Sequence, residues 1–223
     1  NHDIRMSDIT GLGFALTQAL IEIAAGNLFL LLVMAAIVSI VLGMGMPSAV
    51  IYIVLSVIAA PALIEAGVGK MSAHMFLFYF GMLSMITPPV CLATIAAASV
   101  AGTNFWQTGW AGVRLGFVAY IVPFMFVFYP ELVFEGSAGA IIAVMVKSTV
   151  GVIILCYCVA GFLYDRLGWP ERGVLGVCGL AVLAEPYDTA VGLAIIAAFL
   201  VVTGVLFVRG RARRCRAPES CIL

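Results

Sequence analysis

The chain has 223 residues, 64% of them hydrophobic and 10% charged, with Lys+Arg and Asp+Glu balanced at 11 each and a mean hydropathy of +1.20. Soluble domains run near half apolar and a quarter charged, so an ordinary soluble globule is excluded, and the balanced charge leaves no footprint for nucleic acid. No Asp, Glu, Lys or Arg occurs from Ile23 to Ile64 or from Met71 to Val113, each about twice the ~20 residues that one spanning helix needs.

The opening residues, Asn1-His2-Asp3-Ile4-Arg5-Met6-Ser7-Asp8, are polar and contain no signal-peptide core. A start in loop material that runs straight into apolar sequence reads as N-terminally truncated. Over Leu12 to Ala25, Gln18 and Glu22 at helical spacing predict a short amphipathic helix at the membrane interface, which makes residues 1–26 one segment.

Leu28 to Leu42 is apolar for roughly 15 residues, short of a comfortable crossing, and stops at Gly43-Met44-Gly45-Met46-Pro47. Ser48 to Ala66 resumes the apolar character up to Gly67-Val68-Gly69-Lys70. Two half-length helices folded back at a Gly/Pro tip make a re-entrant hairpin; one full helix kinked at Pro47 is the alternative. Met71 to Ile86 follows, interrupted by Thr87-Pro88-Pro89 and continued from Val90 to Ala101. Two successive prolines remove two backbone donors and push the preceding residue out of the helical region, so this helix is discontinuous.

Trp106 and Trp110 resemble interfacial anchors for a span from Ala111 to Phe128, with Arg114 placed to snorkel outward. Tyr129-Pro130-Glu131 closes that region, so residues 27–135 read as a second segment. Residues 136–208 hold further membrane helices: Ala138 to Leu163 with Lys147 inside it, Gly173 to Ala184, whose crossing stays open, and Thr189 to Val208. Residues 209–223 form a basic tail carrying Arg209, Arg211, Arg213, Arg214 and Arg216, which marks the cytoplasmic side or meets lipid headgroups.

Irregular backbone at membrane depth is tolerated only where protein or a water-filled cavity covers it. In secondary transporters such breaks free carbonyls to ligate sodium and aim helix N-termini at anionic groups. Gly43 and Gly45 let the backbone approach an ion, Ser48 and Thr87 add hydroxyl oxygens, and a hard cation prefers oxygen ligands. No carboxylate lies near either break, which disfavours a proton relay. The cysteine spacing, with Cys156-Tyr157-Cys158 too close, fits no metal site. Only His2 and His74 exist and no nucleophile has a base in reach, so the chain does not read as an enzyme. His74 is a proton switch or a satisfied interfacial histidine, and Lys147 is a functional site or a snorkelling chain.

The run from Gly43 to Ile53, Ala60-Pro61-Ala62-Leu63, His74-Met75-Phe76-Leu77-Phe78-Tyr79-Phe80 and Ile86-Thr87-Pro88-Pro89-Val90 resemble the large, DctM-like permease subunit of TRAP (tripartite ATP-independent periplasmic) transporters, more narrowly its fused form. Arg114-Leu115-Gly116 and Ile121-Val122-Pro123-Phe124 fit the same group. Many relatives have Gly where this chain has Cys91.

The resemblance implies an all-α polytopic membrane protein in which hairpin and broken helix belong to the second repeat of an elevator-type transport domain. It implies sodium ligands at Gly43, Gly45, Ser48, Thr87, Pro88 and Val90, with Met46, Pro47 and Pro89 as weaker solute contacts. Na⁺ is then the coupling ion and no cofactor is expected. The implied function is sodium-coupled uptake of a C4-dicarboxylate or related acid across the inner membrane. The implied partners are a periplasmic substrate-binding protein, the small permease subunit and the missing first repeat. A structural or assembly subunit and an ABC-type permease are the alternatives; for the latter, no coupling loop is visible.

Overall fold

The computed structural model describes residues 12–161 and 168–184, which form helices and turns without a strand among them. Expectations for the polar start, the last span and the basic tail fall outside the described residues. The chain divides into two compact units at Glu135/Gly136.

In the first unit α1 (Leu12–Ala24), α2 (Leu28–Gly43), α3 (Ser48–Ile58), α4 (Ala60–Glu65) and α5 (Lys70–Leu83) come first. Then follow α6 (Leu92–Ala101), α7 (Phe105–Leu115), a 3-10 turn (Phe117–Tyr120), α8 (Val122–Phe128) and a second 3-10 turn (Pro130–Val133). Short polar residues start two of these helices. Asn27 Oδ1 accepts from Leu30 N at 3.2 Å and Asn104 Oδ1 from Trp106 N at 2.9 Å, caps that stabilise by about 1 kcal/mol each. Gly102, in the left-handed region at φ +63°, ends α6.

The chain doubles back after Gly43. Glu65 and Ala66, at the end of α4, line the same cleft as Asn27 and Leu28, at the start of α2. The α2–α3–α4 segment is therefore a helical hairpin, and the alternative of one long helix kinked at Pro47 is set aside. At 1.5 Å per residue α2 is about 24 Å long, short of a ~30 Å hydrocarbon core. Its return arm breaks once, at Ala59, where Pro61 opens the next turn and the Ile58 carbonyl accepts from Thr17 Oγ1 of α1 at 3.1 Å. Besides that buried threonine, α1 buries Leu20 and Ala24 on the same face and leaves Glu22 exposed.

Both hairpin arms pack on α5, which runs antiparallel to α3. Ile51 lies against Gly81, while the Tyr52 ring meets Phe78 edge-on at 5.5 Å and the Tyr52 hydroxyl lies 3.3 Å from His74 Nδ1. His74 thus has a partner across the helix pair. The core is aromatic on the other side: the Phe124 ring of α8 stands edge-on to Phe76 and Phe80 at 5.4 and 5.7 Å. Such pairs add about 0.5–1.5 kcal/mol beyond area burial.

The span expected from Ala111 to Phe128 is bent. The helices Phe105–Leu115 and Phe117–Phe128 meet at a 63° bend. Gly116 and the 3-10 turn after it break the helix, and Pro123, which brings no N–H, opens α8. Trp106 and Trp110 belong to α7 itself and are exposed.

The second unit pairs α9 (Ala138–Ala160) with α10 (Trp169–Ala184). Among the described residues α9 alone is long and apolar enough to cross a membrane unaided. α10, longer than the expected Gly173 to Ala184, starts four residues earlier. The Arg172 guanidinium caps the end of α9, donating from Nε to the Cys158 carbonyl at 3.0 Å and from Nη2 to that of Val159 at 2.9 Å. Cys158 Sγ answers by donating to the Arg172 carbonyl at 3.1 Å. Lys147 is buried, 7% exposed, so it does not snorkel freely outward.

A Cβ on Gly81 would fall 2.7 Å from Ile51 Cγ2 and 3.3 Å from Leu55 Cδ1, whereas one on Gly139 would meet nothing within 4 Å. Gly81→Ala is expected to lower stability by about 1–3 kcal/mol, from overpacking of the α3–α5 seam. Gly139→Ala should leave stability unchanged or raise it by up to about 1 kcal/mol. Thermal unfolding of the two purified variants in detergent checks the contrast.

Candidate functional site

Helix α2 ends because the chain meets a left-handed glycine and then a proline. Gly45 has φ +80°, open to glycine at no steric cost, and Pro47 lacks the N–H that would bond to the Gly43 carbonyl four residues back. Only Met46 N reaches that carbonyl within the tip, at a long 3.4 Å. The Gly43 oxygen is thereby left for a tertiary donor.

The second break has the same cause twice over. Pro88 cannot donate to the Ser84 carbonyl, nor Pro89 to that of Met85. Thr87 N bonds to Ser84 O at 3.3 Å and Ala93 N to Met85 O at 3.1 Å, so both are recovered by other donors. The Pro88–Pro89 peptide is cis. Cys91 then takes φ +22°, ψ +65°, a backbone better suited to glycine, and its carbonyl accepts from Thr94 Oγ1 at 2.9 Å as α6 begins. Among the described backbone hydrogen bonds none reaches the carbonyls of Thr87, Pro88, Pro89 or Val90. Helix α6 starts at Leu92, two residues later than expected, so Val90 belongs to the unwound segment.

Ser84 joins the two breaks. Its hydroxyl, on a side chain 1% exposed, lies 3.0 Å from the Gly43 carbonyl and 2.6 Å from that of Gly81. A Cβ on Gly43 would fall 2.5 Å from Ser84 Oγ, so only glycine lets α2 approach this closely. Beside it, a Cβ on Gly45 would sit 3.8 Å from Val90 Cγ1. Tip and unwound segment are therefore neighbours.

Helix α7 closes the far side with a glycine stripe. Cβ atoms on Gly109, Gly112 and Gly116 would lie 3.3 Å from Pro88 Cγ, 3.0 Å from Thr94 Cγ2 and 3.0 Å from Ile86 Cδ1. The α7 backbone thus rests directly on the broken helix. Beyond the bend, the Tyr120 hydroxyl comes to 2.6 Å from Thr87 Oγ1, which also lies 2.7 Å from the Leu83 carbonyl.

Of the residues singled out in the sequence, Gly43, Gly45, Thr87, Pro88 and Val90 gather in this neighbourhood. Ser48 is exposed at the first turn of α3; Pro47 and Pro89 are exposed, while Met46 packs partly on the core. Sequence reasoning missed Ser84 and Tyr120, whose partners are tertiary, and the Gly109/Gly112/Gly116 stripe, whose i, i+3, i+7 spacing was a readable signal.

Four helix ends converge here. The C-termini of α2 and α5 carry partial negative charge and the N-termini of α3 and α6 partial positive charge. Neither α3 nor α6 has a side-chain N-cap. One side can thus attract a small cation through carbonyls, and the other an anion through peptide N–H groups.

Replacing Gly43 by Ala is expected to push the tip off Ser84 and cost about 1–3 kcal/mol, more than the roughly 1 kcal/mol of Ser84→Ala. Unfolding midpoints in detergent check the order; a Gly43→Ala protein as stable as the parent would contradict the close approach.

A family model described as "Tripartite ATP-independent periplasmic transporter, DctM component" matches residues 5–141. No curated protein and no solved structure matches the chain.

Proposed function

Because the chain belongs to the DctM family of tripartite ATP-independent periplasmic transporters, and so is a membrane permease component, we propose that it couples sodium entry to uptake of a small carboxylate. The observation that supports this most is the pairing of the two breaks through Ser84, 3.0 Å from the Gly43 carbonyl. Backbone interrupted twice within one apolar unit and then drawn together suits a shared ion site.

In this reading sodium is held by oxygens of Gly43, Gly45, Ser48, Thr87, Pro88 and Val90, and the solute carboxylate lies toward Met46, Pro47 and Pro89. The uncapped start of α3 supplies peptide N–H groups to the anion. The ion and the carboxylate neutralise each other in a segment that has no charged side chain from Met71 to Val113. Mutual neutralisation is what couples them, since either alone would be an unpaired charge away from water.

The hairpin is re-entrant in this reading and moves with the broken helix as an elevator-type transport body in the inner membrane. A periplasmic binding protein delivers the solute, and the small permease subunit and a first repeat complete the assembly. A C4-dicarboxylate or a related organic acid is the solute class.

The test is uptake of a labelled C4-dicarboxylate by proteoliposomes holding the assembled transporter, with its binding protein outside. Uptake is expected to need an inward Na⁺ gradient, and Ser48→Ala with Thr87→Ala to raise the half-saturating Na⁺ concentration about tenfold, as the loss of one or two net contacts implies. Uptake indifferent to replacing Na⁺ by choline would refute the coupling.

A further inference from the structure

The hydroxyl of Thr87 has two close oxygen neighbours and a single proton. A carbonyl brings no proton, so the 2.7 Å contact with Leu83 O is a hydrogen bond only when Thr87 donates. The 2.6 Å contact with Tyr120 must then be the phenol donating to Thr87. The opposite assignment would leave two lone pairs facing each other at 2.7 Å. The donor chain runs from Tyr120 to Thr87 to Leu83, and each bond strengthens the next.

The fold takes care to put Tyr120 there. It ends the 3-10 turn that follows the 63° bend, and the glycine stripe of α7 brings that bend against the unwound segment. The phenol occupies one lone pair of Thr87 and leaves the other open. Without the phenol the hydroxyl would be held by its bond to the Leu83 carbonyl alone, and quenching the remaining freedom of the unwound segment upon ion binding would weaken affinity.

We infer that Tyr120 is a positioning residue for cation binding: it holds the Thr87 oxygen in one orientation and acts through it. This rests on the sodium reading above, in which Thr87 is a ligand. Tyr120 sets how much sodium the transporter needs, while turnover at saturating sodium depends on it little.

The experiment uses the assembled transporter in the same proteoliposome assay, with Na⁺ titrated at fixed C4-dicarboxylate. Tyr120→Phe keeps the ring and is expected to raise the half-saturating Na⁺ about fivefold, with maximal rate within about twofold of the parent. Thr87→Val should raise it at least as far, and the double variant no further than Thr87→Val alone, because Tyr120 acts only through that hydroxyl. Thr87→Ser, which retains an oxygen, should behave like the parent beside Tyr120 and lose affinity beside Phe.

A shift in Thr87→Val with none in Tyr120→Phe overturns the positioning role alone. A lowered maximal rate at unchanged half-saturation, or full additivity in the double variant, assigns Tyr120 a merely structural part and also overturns it. Sodium-independent uptake by the parent, or a Thr87→Val titration identical to it, brings down the sodium reading and this inference together.

Discussion

A peptide carbonyl that loses its helical donor inside an apolar segment must find another partner, because no water stands ready to replace it. Pro47, Pro88 and Pro89 create that need at Gly43, Ser84 and Met85 in turn. The three solutions differ: a serine hydroxyl from another helix, a displaced threonine N–H and a long-range alanine N–H from α6. The first draws the hairpin onto the broken helix. The glycines at 43 and 81 follow from it, since a side chain at either position would hold the two apart. Packing at the site is thus the outcome of satisfying backbone groups, with hydrophobic burial filling in behind.

That order of causes explains what could be read from the residues alone. Proline and left-handed glycine act locally, so the breaks at Gly43–Pro47 and Thr87–Pro89 were visible, as was the helical content between them. Doubling back at Gly45 required knowing where Glu65 ends up, and both geometries fitted the apolar pattern. Ser84 was hidden because a serine within an apolar helix looks the same whether its hydroxyl bonds its own turn or a neighbouring helix. The bend at Gly116 was hidden differently: apart from Arg114 the sequence from Ala111 to Phe128 is apolar and carries no periodic mark of a change in direction, and only the combination of Gly116 with Pro123 pointed to it.

The family match covers residues 5–141 and so takes in the whole pairing of hairpin, broken helix and bent helix. The second unit obeys related physics with other means. Where the first unit satisfies an orphaned carbonyl with a small hydroxyl at a glycine contact, α9 ends under the five-donor fork of Arg172, which covers two carbonyls at once. Releasing that guanidinium would give up both bonds together. The hydroxyl solution is softer.

Ser84 has one proton and faces two carbonyls, Gly43 at 3.0 Å and Gly81 at 2.6 Å. When the proton turns to Gly81, within its own helix, the serine remains satisfied and the Gly43 carbonyl keeps only the long 3.4 Å bond from Met46 N. The bond behaves like a railway point, passing its one connection between two lines. Moving the proton between the two carbonyls takes only rotation about a single C–O bond, with no part of the helix unfolding.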